Sequence, residues 1–174
     1  MSGPDFEAVV ALYYEPLYRF ALSLTRSEAD ACDLAQQTFY LWGTKGHQLR
    51  DPAKAKSWLF TTLHRAFLGN RRSQTRFPHS ELNAMEAELP VILPAAARQL
   101  DADQALLALS RVDEIYRAPV ALFYLEDCSY LEIAEILEVP MGTVKSRMAR
   151  GLEQLRHIFA GSNPAGHKAQ GERE

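Results

Sequence analysis

The 174 residues are 47% hydrophobic and 24% charged, ordinary globular proportions that exclude a chain disordered throughout. No apolar run approaches the roughly 20 residues of a membrane span, so membrane insertion is not expected, and Met1 to Asp5 have neither the basic nor the apolar stretch of an export signal. The net charge of −3 hides a strong segregation: residues 45–76 carry a net of +7 and 145–156 a net of +3, whereas 5–33 and 77–103 each carry −4 and 113–138 carry −6.

In chain order, Phe6, Val9, Val10, Tyr13, Leu17, Phe20 and Leu24 recur at spacings of three and four, which predicts an amphipathic helix over about 5–25. Pro16 interrupts it and predicts a kink or a break into two helices. Ser27-Glu28-Ala29-Asp30 resembles a capping box, so a second helix is expected from Glu28, with Cys32, Ala35, Phe39 and Trp42 inward and an end near Gly43 or Gly46. Asp51-Pro52 is an N-cap followed by proline at the first helical position. A third helix follows through Trp58, Leu59, Leu63, Ala66 and Phe67 toward Arg72.

Residues 77–100 lose this periodicity, contain Pro78, Pro90 and Pro94 and are acidic, which reads as a flexible linker, with a short helical turn possible over 81–88. Helical spacing returns at Ala105, Leu106 and Leu109. A second apolar face is formed by Ile115, Val120, Leu122, Phe123 and Leu125. Ser129-Tyr130-Leu131-Glu132 is an S-x-x-E capping box opening a short helix over Leu131 to Leu137. After a tight connection at 138–142, a basic helix is expected from Thr143 to Phe159 with Val144, Met148, Leu152 and Leu155 inward. The residues from about Gly161 are expected to be a disordered tail. The fold class expected is therefore all-α: a helical domain over 5–76, the linker, and a second helical domain over 101–160.

A short capped helix, a tight turn and a longer basic helix form the helix-turn-helix arrangement. A helix in a major groove needs exposed donors near its start and cations where it nears phosphates. Thr143, Ser146, Arg147 and Arg150 share one face. Arg147 suits bidentate contact to guanine, while Lys145 and Arg150 suit flanking phosphates and Thr143 a phosphate at the helix start. The basic third helix of the first domain, with Lys54, Lys56, Trp58, Thr62, Arg65, Arg71 and Arg72, combines cations with an aromatic ring, as single-strand binding requires. Trp58, at helix spacing beside Leu59 and Leu63, reads as core ahead of a stacking platform, so Lys56, Arg65 and Arg71 come before it as strand contacts. Cys32 and Cys128 are the only cysteines and, with no export signal, are expected as free buried thiols in a reducing cytoplasm. The five histidines show no i, i+4 pairing, so neither metal nor cofactor is expected. Paired catalytic carboxylates, a nucleophile motif and a glycine-rich phosphate loop are all missing from the sequence, which argues against an enzyme.

Tyr130-Leu131-Glu132-Ile133-Ala134-Glu135-Ile136-Leu137 followed by Gly142-Thr143-Val144-Lys145-Ser146-Arg147-Met148-Ala149-Arg150 resembles the promoter-binding region 4 of bacterial sigma factors, most closely the extracytoplasmic-function (ECF) group of the sigma-70 family. Tyr116-Arg117 and Leu122 fit the same pattern. Asp33-Leu34-Ala35-Gln36-Gln37-Thr38-Phe39 resembles that family's polymerase-binding helix, and Trp58-Leu59-Phe60 with Arg71-Arg72 its helix for the minus-ten element. The resemblance implies a subunit that binds core RNA polymerase through Asp33, Gln36, Gln37 and Phe39 and directs it to promoter DNA. The minus-thirty-five element would be read by the second domain and the melted minus-ten strand held by the first. It also implies an anti-sigma partner. Arg65 stands where the family often has Asn, Gly69 where Asp is common, Glu138 where Gly is frequent and Gly151 where Ala is frequent; Gly151 costs about 1 kcal/mol of helix propensity relative to Ala. The alternative is a helix-turn-helix regulator that never engages core polymerase, a distinction that run-off transcription would make.

Overall fold

The computed structural model describes residues 5–76 and 102–161; the linker expected over 77–100, its possible helical turn and the tail beyond Gly161 lie outside them. The described residues form seven α-helices: α1 Phe6–Thr25, α2 Glu28–Lys45, α3 Ala55–Arg76, α4 Ala102–Ser110, α5 Glu114–Glu126, α6 Tyr130–Leu137 and α7 Met141–Ala160. One-turn 3-10 helices at Gly46–Gln48 and Pro52–Lys54 bridge α2 to α3.

The local signals act where they stand in the sequence. Ser27 caps α2 by accepting from the Asp30 N–H at 3.3 Å. Asp51 accepts from the Ala53 N–H at 3.0 Å, so the third helix opens with a 3-10 turn at Pro52. At α6 the capping box is complete: the Ser129 N–H donates to Glu132 Oε2 at 2.7 Å and the Glu132 N–H to Ser129 Oγ at 3.2 Å. These reciprocal bonds satisfy two amides that a helix start would otherwise leave unpaired. α6 begins one residue and α7 two residues earlier than the sequence suggests.

Pro16 does not divide α1, which runs unbroken past it. An interior proline removes one helical bond, and the carbonyl it frees belongs to Leu12, whose side chain is 64% exposed, on the side of α1 that water can reach. The opposite side carries Leu17, Phe20, Ala21 and Leu24, all buried, and the packing of that face on α2, α3 and α5 offsets the loss. Three stripe residues are corrected: Phe6, Ile115 and Phe123 are exposed rather than core. Cys128 is buried but Cys32 only half so, and both are free thiols.

Although the sequence reads as two modules, the two halves pack directly on one another. α1 lies against α5 and α3 against α6, and buried side chains from Val9 to Met148 join one continuous apolar cluster. Arg117, 5% exposed, stands at this seam. Its guanidinium donates to the carbonyls of Leu109 and Val112 in its own half at 2.8–3.2 Å, and to that of Leu24 at the end of α1 at 3.2 Å. Burial lowers its pKa, with Arg26 adding in the same direction. Its buried charge is thus solvated by carbonyl dipoles at helix ends, where a cation is favoured.

Candidate nucleic-acid interface

α7 follows the capped α6 through a turn in which Glu138 ends α6 in the left-handed conformation, φ 56°. That is the position where the family resemblance leads one to expect glycine, and a side chain there costs about 1 kcal/mol. Pro140 then fixes the chain into α7 and its carbonyl accepts from the Thr143 and Val144 amides. Val144, Met148 and Gly151 turn inward. Lys145, Ser146 and Arg150 are consequently exposed, and Thr143 and Arg147 half-buried. Among the described residues no salt bridge involves Lys145, Arg147 or Arg150. The Ser146 hydroxyl donates to the Thr143 carbonyl at 3.1 Å, which leaves its oxygen available as an acceptor. The face is able to do what a major-groove helix requires: offer a fork, a hydroxyl and flanking cations without first breaking an ion pair.

Gly151 also has a role that its propensity obscures. A Cβ at that position would lie 2.5 Å from Val120 Cγ2 and 3.3 Å from Tyr116 Cβ. α7 therefore crosses α5 at a distance only glycine permits, and the helix cost noted above is the condition for that approach.

The second basic surface, on α3, is occupied. Lys54 Nζ pairs with Glu135 at 2.8 Å, and Arg65 makes a two-pronged pair with Glu138 at 2.5 and 2.8 Å. Arg71 grips both carboxylate oxygens of Glu114, its Nε at 3.0 Å. Lys56 Nζ donates to the Glu126 carbonyl at 2.9 Å. Every one of these partners belongs to the other half of the chain. Arg72 is exposed and Thr62 half-buried. Trp58 is half-buried, its ring edge-on to Trp42 at 5.3 Å, so its indole belongs in large part to the core.

Two titratable groups are trapped at the seam. Glu126, 7% exposed, accepts from Arg19 at 3.3 Å. Burial nevertheless pushes its pKa up to about 7 against the pull of Arg19 and Lys56. His64 is driven down to about 4 by burial, with Glu138 opposing the shift and Arg147 adding to it.

On α2, Asp33, Gln36 and Gln37 are exposed on one side, as the pattern predicts. Phe39 is not: it is 6% exposed and stacks on Tyr14 at 6.1 Å, because inward position 39 follows Ala35 by one helical turn. Its ring is core and cannot be an open contact surface in this packing. The residues that sequence reasoning missed are Arg117 and the carboxylates Glu114, Glu126, Glu135 and Glu138. The opposed charges of 45–76 and 113–138 were the available signal for the carboxylates, although nothing local indicated that the two segments meet.

Comparison with known proteins matches residues 9–77 to Sigma-70 region 2 and residues 102–155 to Sigma-70, region 4. The chain is 33% identical over 156 residues to the ECF RNA polymerase sigma factor SigL of Mycobacterium tuberculosis, across 84% of this chain and 85% of that one. It is 25% identical over 154 residues to the ECF RNA polymerase sigma factor SigM of Bacillus subtilis, across 88% and 94%. Among solved structures, the sigma factor RpoE of Bartonella quintana, in complex with the anti-sigma factor NepR, superposes with a TM-score of 0.71 at 28% identity. That superposition covers 91% of this chain and 99% of the other.

Proposed function

This chain belongs to the sigma-70 family as an ECF sigma factor that directs RNA polymerase to promoters, and from that premise we propose which of its surfaces do the work. Residues 101–160 read the minus-thirty-five element as duplex through α7. Arg147 is the base-reading fork, Ser146 an acceptor for a base-edge donor, and Thr143, Lys145 and Arg150 the contacts to phosphate. Residues 5–76 bind core polymerase and hold the melted minus-ten strand. Lys54, Lys56, Arg65, Arg71 and Arg72 supply cations there, Thr62 a hydroxyl, and Trp58 an indole edge at the margin of the core.

The polymerase contact is carried by Asp33, Gln36 and Gln37, whose acceptors and amides face outward together; Phe39 supports them from beneath. An anti-sigma factor is a further partner, by likeness to the solved relative held by one. The site of action is the cytoplasm, where polymerase and chromosome are; among the described residues no helix is long and apolar enough to cross a membrane. The observation that supports the assignment most is the cationic outer face of α7, set behind a fully capped α6 and free of salt bridges among the described residues. A regulator that merely binds DNA would account for that face alone and leave the match over 9–77 without a purpose.

Run-off transcription by core polymerase is the test. Adding this protein should produce transcripts from a subset of promoter templates, and substitution of Arg147 should relax the selectivity among them. Transcripts whose yield and choice are indifferent to the α7 face would remove that face from promoter reading.

A further inference from the structure

A cleft of about 160 Å³ opens where the end of α1 meets α2, α3 and α5. Buried Leu34 and Phe67 give it an apolar lining, and charged side chains of both signs supply most of the rest. Arg26 reaches it from the end of α1 and Arg117 from α5, while Asp30 and Asp33 reach it from α2. Among the described residues no salt bridge joins either guanidinium to either carboxylate. Arg71 lines the cleft too, but it is already engaged by Glu114.

Both unmatched arginines are held there against a cost. Arg117 is 5% exposed, and a buried charge is ordinarily paired. Carbonyl dipoles solvate it, yet no carboxylate neutralises it. Its Nη1 carries two hydrogens, and the single acceptor engaged is the Leu24 carbonyl, itself part of the cleft. Arg26 ends α1 at φ 57°, a left-handed backbone that persists only where the surroundings enforce it. Its guanidinium is tied by one contact, to the Ser110 carbonyl at 3.3 Å. Burial lowers the pKa of Arg117 and the charge of Arg26 is the next cause, so the two cations feel one another.

Two cations and two carboxylates therefore share a small space without closing on each other. A bare anion would satisfy the arginines and be repelled by the aspartates; a bare cation would meet the reverse. A zwitterion satisfies both. An apolar cavity of about 150 Å³ holds a benzene ring, so the available space suits a molecule of that order, the size of a small amino acid. Asn70 and Gln74, one helical turn apart on α3, also line the cleft, and their side-chain amides make no hydrogen bond among the described residues. They are placed to meet a polar side chain.

We propose that this cleft binds a free α-amino acid with a short polar side chain, its carboxylate received by Arg26 and Arg117 and its ammonium by Asp30 and Asp33. The walls come from both halves of the chain, so the site is complete only while the halves are packed. A ligand that binds the folded form alone stabilises it by mass action, and occupancy should appear as a raised melting temperature.

The full chain is titrated calorimetrically with each common L-amino acid in turn, with acetate as the anion alone and methylammonium as the cation alone. At least one polar amino acid should bind in the sub-millimolar range and raise the melting temperature, while acetate and methylammonium do neither. Arg26→Gln and Asp30→Asn then remove one charge of each sign. Both side chains are exposed, and Asp30 is chosen because Asp33 also belongs to the proposed polymerase face. Each substitution should weaken the amino acid about tenfold, as expected for a hydrogen bond to a charged group, and leave the melting temperature of the free protein unchanged. Should Arg26→Gln fail to fold, Asp30→Asn decides alone. Heat from none of the amino acids would overturn the site, and so would affinity that neither substitution alters. Acetate binding as tightly as the best amino acid, or a loss at Arg26 without one at Asp30, would reduce the cleft to a simple anion site and overturn the zwitterion.

Discussion

α3 and α7 are the two cationic helices of this sigma factor, and they meet opposite fates. On α3 and the 3-10 turn that leads into it, Lys54, Arg65 and Arg71 are each closed by a carboxylate from the far half of the chain. On α7, Lys145 and Arg150 face outward with no ion pair among the described residues. By charge in the sequence α3 is the stronger anion binder; in the folded chain α7 is the more available one. A run of positive charge thus measures the capacity to bind an anion, and only packing decides whether that capacity is free.

The contrast is broken most severely at Arg117, which ties α1 to the half that contains α7. Arg117→Met should destabilise the protein by about 3–5 kcal/mol, because it strands the carbonyls of Val112 and Leu24 and leaves that of Leu109 with the Val112 N–H alone. Chemical denaturation would measure it, and a loss under 1 kcal/mol would show that water replaces the guanidinium without cost.

The seam should also respond to pH through Glu126. Its carboxyl ionises near 4.5 when unfolded and at about 7 when folded. Between these values the unfolded chain has given up a proton that the folded chain keeps, so the contribution is complete below pH 4.5 and is lost as pH rises through 7. The span corresponds to about 3 kcal/mol. His64 acts in the opposite sense, losing its contribution as pH falls from 6.5 toward 4. Because the two nearly offset one another in the parent, Glu126→Gln uncovers the second: the variant's stability, read from denaturation curves, should rise between pH 4 and 6.5 more steeply than the parent's.

On the open helix, Arg147→Ala should weaken binding to a preferred promoter by about 1–3 kcal/mol and relax selectivity at one base pair. Arg150→Ala should weaken all sequences alike and lower the salt slope by about one. Titrations at several salt concentrations sharpen the distinction between a reading residue and a holding one. The smallest effect is expected at Gly151. Alanine would improve helix propensity by about 1 kcal/mol, but its Cβ would press on Val120 and Tyr116. Gly151→Ala should therefore lower stability by a net of about 1 kcal/mol, since overpacking a tight crossing typically costs 1–3 kcal/mol. A raised melting temperature would show that the crossing can widen at no cost.

Sequence alone determined the helices, their caps and the outward face of α7, because each depends on bonds three or four residues apart or on a periodicity that the chain repeats locally. The capping box at Ser129 and Glu132 is such a case, as is the outward placement of Asp33, Gln36 and Gln37. Tertiary structure decided what those surfaces meet. It carried α1 intact through Pro16 and made Gly151 a spacer between helices. It also joined Arg65 to Glu138 across 73 residues and Lys54 to Glu135 across 81. Pairings at such separations depend on how whole helices dock, a sum over many apolar contacts that no local pattern of residues encodes.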